Sequence, residues 1–154
     1  MKEIVLIPCS KCKQKIDRKV KVKAEDLYIS SLFKKGKRYA KLRNPDAIYI
    51  LSDKYHLLKL EDEIKFYDIS IKEMSSKEKT IWGKKVIEKL KQEVDLQKDK
   101  FIILAGEDYL KQILPHLKLT NVELPLKGQK QGVRLKTLNK EISRLEQKSN
   151  KHIK

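Results

Sequence analysis

The sequence predicts a three-layer α/β domain on a mainly parallel sheet of about four strands flanked by helices, and three observations predict it. Continuously apolar runs at residues 4–7, 47–51 and 101–105 read as short strands buried on both faces. Stretches with helical apolar spacing separate them, so strands alternate with helices. Each run ends on small or polar residues, Cys9-Ser10, Ser52-Asp53 and Gly106-Glu107, at the strand ends where open α/β sheets hold a ligand crevice.

The 154 residues, 40% of them apolar, are one domain's length with enough apolar surface for a core. We expect a single domain over 1–147 and a disordered basic tail over 148–154. Ile4-Val5-Leu6-Ile7 is stopped by Pro8 and is too short for the apolar region of a signal peptide, and no long uncharged apolar run occurs. These features lead us to expect a cytoplasmic protein without a membrane partner.

Taken in order, the first strand runs from Glu3 to Pro8 and opens into the polar loop Cys9-Ser10-Lys11-Cys12-Lys13. Successive amides, a hydroxyl and cations there suit an anion. Beyond a basic loop to Lys23, Leu32, Phe33, Tyr39 and Ala40 recur with helical spacing behind a capping Ser30 or Ser31. Asn44-Pro45-Asp46 ends that helix and begins the second strand. The stretch Ile50 to Ile69 then turns through a polar, aromatic loop expected to roof the crevice from Tyr55 to Asp68. Ser75-Ser76-Lys77-Glu78 reads as a capped helix start, and an apolar stripe of Ile81, Trp82, Val86, Ile87 and Leu90 follows to about Val94. Phe101–Ala105 is a buried strand, and Gly106 permits a tight turn into a helix reaching about Leu117. Asn121–Pro125 is a short fourth or edge strand, and Leu135, Leu138, Ile142 and Leu145 mark a last amphipathic helix.

The formal net charge is +16 and it is segregated. Residues 1–43 contribute +10 and residues 127–154 contribute +7, while 44–126 is close to neutral. Such a distribution points to a polyanion, RNA or DNA, bound through phosphates. Lys34, Lys35, Lys37, Arg38 and Lys41 share one helix face, and Lys127, Lys130 and Arg134 lie in the basic tail half, so these are the nucleic-acid-binding candidates. Only five residues are Arg (Arg18, Arg38, Arg43, Arg134 and Arg144), whereas phosphate forks favour Arg; a solvated lysine surface is the competing reading.

Cys9 and Cys12 form a C-x-x-C pair. With His56, His116 and His152 scattered, a four-ligand zinc site is not expected, and a redox pair would open a helix, whereas a basic loop follows here. No cofactor or metal follows from the residues. Cys9 is a candidate for packing under the pocket or for nucleophilic attack, its pKa lowered if Lys11 and Lys13 lie close.

The motifs PCSKCK, AEDLYISSLFKKGKRYA, ILSDKYHLL, IKFYDISI, ILAGEDYL and PLKGQKQG, in that order, resemble an uncharacterised bacterial, archaeal and phage family over about Ile4 to Asn139. The chain departs from that pattern at Asp53, where the pattern has Ala, at His56, where it has Gly, and at Phe66, where it has Pro. The S-x-x-Y portion with its later Y-D is also similar to the peroxide-stress protein YaaA, whose family is associated with DNA binding. More faintly, P-C-S and Y-D look like the core of archaeosine synthase, which acts on a base in transfer RNA. These resemblances imply a nucleotide- or nucleobase-sized pocket beside a nucleic-acid surface. Carried over position by position, the ligand-binding set is Ser10, Lys11, Tyr28, Ser52, Tyr55, Tyr67, Gly106 and Tyr109, with Cys9 and Asp68 as catalytic candidates. Tyr55 or Tyr67 would stack on a base, and Asp68 would accept from its N–H edge or act as general base. The expectation is a nucleic-acid-associated protein with a nucleotide- or nucleobase-sized pocket, with base-modifying or base-processing chemistry as one reading and enzymatic activity left open; the alternatives are a non-catalytic DNA- or RNA-binding protein and an enzyme on free nucleotides.

Overall fold

The computed structural model describes residues 1–11 and 13–153, with side chains through Ser149. Cys12 and Lys154 lie outside the described residues. In chain order the elements are β1 Glu3–Pro8, β2 Lys21–Lys23, α1 Ala24–Leu27, α2 Ser31–Leu42, β3 Ala47–Ser52, β4 His56–Lys59, β5 Glu63–Lys65, α3 Ser76–Glu93, β6 Lys100–Ile103, α4 Glu107–Ile113, β7 Val122–Glu123 and α5 Gln131–Ile153. The main sheet has five strands in the order β4-β3-β1-β6-β7. β1 is central and parallel to β3 and β6, β7 is parallel to β6, and β4 is antiparallel at the far edge.

Side-chain alternation along these strands divides the core into two layers. Val5, Ile7, Ile50 and Ile102 face one way, onto Phe33, Tyr39 and Ala40 of α2 and Leu138 and Ile142 of α5. Ile4, Leu6, Leu51, Phe101 and Ile103 face the other way, onto Trp82, Val86 and Leu90 of α3 and Leu110 and Ile113 of α4. Helices on both faces bury a strand twice, which is why these strands read as unbroken apolar runs. The expected α/β architecture is therefore present.

Helix boundaries follow local chemistry. Ser30 Oγ accepts from Phe33 N at 3.1 Å and caps α2. Ser75 and Glu78 form a reciprocal capping box on α3, at 3.1 and 3.0 Å. α4 stops at Ile113 because Pro115 follows, and the chain continues as a 3-10 turn over Leu114–His116.

Several details differ from the sequence reading. Ile81 is exposed and outside the α3 stripe. The region expected as a continuous polar loop after β3 instead contains β4 and β5; β4 is a hairpin partner of β3, and β5 pairs with β2 in a separate two-stranded antiparallel sheet. The hairpin closes because Ser52 Oγ accepts from Tyr55 N at 3.0 Å and His56 takes the left-handed conformation, φ 70°. α5 runs through Ile153, across residues expected as a disordered tail.

The order of the strands fixes where a ligand can sit. From the end of β1 the chain proceeds to α2 on one face, and from the end of β6 it proceeds to α4 on the other. Adjacent parallel strands that diverge in this way leave a crevice between their carboxyl ends.

Candidate functional site

A cavity of about 570 Å³ occupies that position, within the range of roughly 300–1,000 Å³ usual for small-molecule sites. Its floor is made where β1, β3 and α4 meet. Cys9 follows β1 and extends the ladder by one bond, its N–H donating to Leu51 O at 2.9 Å. Asp53 follows β3, and Tyr109 lies in the first turn of α4. The Tyr109 hydroxyl donates to Asp53 Oδ1 at 2.7 Å, Cys9 Sγ donates to the same oxygen at 3.3 Å, and Ile71 N donates to Asp53 Oδ2 at 2.9 Å. Cys9 Sγ is 3.6 Å from the Tyr109 hydroxyl.

Asp53 is 7% exposed and forms no ion pair among the described residues. A buried carboxylate without a cation is expensive unless donors replace its water. Here a phenol, a thiol and an amide do so, which leaves acceptor capacity on Oδ2 for a ligand donor. Burial first, and the Asp53 charge second, push the Cys9 thiol up to about 11. The thiol form is therefore favoured at neutral pH. Lys11 and Lys13 do line the cavity, but the thiol moves opposite to the expected lowering because desolvation and Asp53 dominate. Burial, Cys9 and Asp53 likewise raise the Tyr109 phenol, which holds its proton as a donor.

Behind the floor lies a second polar layer. The Tyr28 and Tyr67 hydroxyls are 2.6 Å apart, Ser52 Oγ donates to Tyr67 OH at 3.1 Å, and Trp82 Nε1 donates to Ser52 O at 2.9 Å. Ser52 is fully buried. Burial raises both tyrosines, so this layer is a neutral hydroxyl network.

The expected site residues therefore divide into three groups. Cys9, Ser10, Lys11, Gly106 and Tyr109 line the cavity. Tyr28, Ser52 and Tyr67 support it from behind, with no ring offered to a base inside it. Tyr55 packs edge-on against Tyr67 with ring centroids 5.6 Å apart, and Asp68 is exposed; neither lines the cavity. The wall expected from Tyr55 to Asp68 is formed instead by Ile69–Lys72, because β4 and β5 draw the intervening chain into pairing.

Among the nucleic-acid candidates, Lys37 and Lys41 pair with Glu25 at 3.3 and 3.7 Å, and Arg38 pairs with Glu146 at 3.1 Å. Lys34, Lys35, Lys127 and Lys130 are exposed, whereas Arg134 lines the cavity. Asp53 was missing from the expected set. Its position at the end of β3 was the available signal. Lys72 of the cavity wall carried no signal beyond polarity, whereas Lys13 was read with the anion-suited loop and Ser30 as a helix cap.

No group of three or more His, Cys, Asp or Glu that could hold a metal ion occurs among the described residues, and none of their helices is long and apolar enough to cross a membrane. In comparison with known proteins, residues 4–140 match the model of a family described as a family of unknown function (DUF6884). No curated protein matches the chain.

Proposed function

The chain belongs to this family of unknown function, and from the geometry we propose a nucleic-acid-associated protein that holds a nucleobase or nucleotide in the cavity between β1 and β6. The observation that carries this reading is the Asp53 carboxylate, buried on the cavity floor with donors from Cys9, Tyr109 and Ile71 and, among the described residues, no ion pair. A base presents N–H donors to such an acceptor in a way that a sugar phosphate does not. The rim adds Lys11, Lys13, Lys72 and Arg134, cations suited to the phosphate that accompanies a base. The motif resemblance to YaaA and to the archaeosine synthase core favours the same ligand class.

Any base-directed chemistry in this site begins with a proton passed to Asp53 rather than with attack by Cys9, whose thiol is protonated at neutral pH. Cys9 and Tyr109 then act by positioning the carboxylate.

The test is binding of transfer RNA, single-stranded DNA, duplex DNA and the common nucleosides to the wild type and to Asp53→Asn across a salt series. We expect one polymer to be favoured with a steep salt slope, and nucleoside binding to weaken at least tenfold in the variant. Absence of nucleoside binding together with polymer binding that vanishes near physiological salt would overturn the reading.

A further inference from the structure

Resting on the nucleotide reading above, we infer that Arg134, whose guanidinium lies against Gly106, is the anchor for an anionic group of the cavity ligand, a phosphate. The arginines of the chain have different environments. Arg43 pairs with Glu3 and Glu123, Arg38 with Glu146, and Arg144 with Glu141, while Arg18 sits over the Phe66 ring. Arg134 is partly buried and lines the cavity, yet among the described residues it forms no ion pair. Its Nε donates to Gln129 O at 2.8 Å, which fixes the plane of the guanidinium and leaves Nη1 and Nη2 as a preoriented fork.

Gly106 shows why that fork can lie where it does. A Cβ at this position would stand 2.9 Å from Arg134 Nη2 and 3.3 Å from Nη1, so a side chain here would make the guanidinium shift from the position it holds. Gly106 ends the β6 strand region three residues before Tyr109, whose hydroxyl reaches Asp53. The fork and the carboxylate therefore belong to one cavity, with an anion site and a donor-seeking site on its wall and floor. Lys11 and Lys72 supply further positive charge to the same space. A ligand with N–H donors and a phosphate satisfies both ends. That phosphate is either the monoester of a free nucleotide or a phosphodiester flanking a base within a strand.

The test compares a nucleoside, its 5′-monophosphate and a short single-stranded oligonucleotide by titration calorimetry, with wild type, Arg134→Gln and Gly106→Ala. Thermal melts of each variant establish that it is folded. In the wild type the phosphate-bearing probe should bind at least tenfold more tightly than the nucleoside. Arg134→Gln should bring the two to within about threefold, and Gly106→Ala, which shifts the guanidinium with its charge retained, should weaken the preference by less. A gain from the monophosphate identifies a free nucleotide as the source, and a gain from the oligonucleotide alone identifies a strand phosphate. A phosphate preference that survives in folded Arg134→Gln overturns the anchor while the cavity reading stands. Failure of nucleoside, monophosphate and oligonucleotide alike overturns both.

Discussion

His56 carries a backbone conformation that its side chain does not favour. At φ 70° a residue with a Cβ is strained by about 1–2 kcal/mol. The strain sits in the hairpin turn between β3 and β4. His56→Gly should stabilise the protein by about 0.5–1 kcal/mol once glycine's extra unfolded freedom is subtracted, raising Tm by about 2–3 °C. An unchanged or lower Tm would show that imidazole contacts outweigh the strain. Burial, then Lys89 and Lys85, depress the His56 pKa below its usual 6.5. The unfolded chain then takes the proton first, so this contribution is complete above about pH 6.5 and is lost as pH falls through that value toward the folded pKa. Urea unfolding at pH 7.5 and 5.5 should show a smaller loss in His56→Gly than in the wild type. At Cys9 the raised thiol should react slowly with iodoacetamide at pH 8 in a Cys12→Ser background. Asp53→Asn removes one cause of that rise and should speed alkylation severalfold; an unchanged rate would leave burial as the sole cause.

The floor of the site depends on how closely α3 and α4 approach. A Cβ at Gly83 would meet Gln112 O at 2.7 Å and Gln112 Cβ at 2.8 Å, and the first of these is backbone that cannot turn aside. Gly83→Ala should therefore push α4 away and destabilise the protein by about 1–3 kcal/mol in urea unfolding. Because α4 carries Tyr109, the same variant should weaken nucleoside binding; reduced stability without a binding change would show that the floor tolerates the shift. Element positions were largely legible in the sequence, since Ser30 and Ser75 are cap residues read from local chemistry and the buried strands are unbroken apolar runs. β4 and β5 were not legible. HLLK and EIK are too short for a periodic signal, and their partners are fixed by a left-handed residue and by a strand forty residues away. Missing them shifted the expected site wall from Ile69–Lys72 to Tyr55–Asp68.

Over the whole molecule, alternation of strands and helices announced the layered architecture, whereas the order β4-β3-β1-β6-β7 depends on long-range pairing that local pattern does not encode. Convergence of three strand ends was legible for the same reason, and Asp53 stood at one of them, but that the carboxylate meets Cys9 and Tyr109 there, while Asp68 is exposed, depends on the folded chain. Charge behaves similarly. The net charge of +16 and its concentration at both ends can be read directly, yet the fold makes the cations of α2 unequal. Glu25 takes Lys37 and Lys41, while Lys34 and Lys35 are exposed without an ion pair among the described residues. Glu25 and Lys37 are half-buried in these pairs, which lower the local field and must break before both lysines meet phosphates. Removing one lysine–phosphate pairing should flatten the slope of log affinity against log salt by about 0.7–0.9. Lys34→Gln/Lys35→Gln should therefore flatten it by about 1.5, and Lys37→Gln/Lys41→Gln by less than half as much, measured by anisotropy of a labelled single strand between about 50 and 200 mM salt. Equal effects from the two pairs would mean that Glu25 releases its lysines on binding. A slope unmoved by either pair would remove α2 from the nucleic-acid surface and leave phosphate binding to the cavity rim and the 127–130 loop.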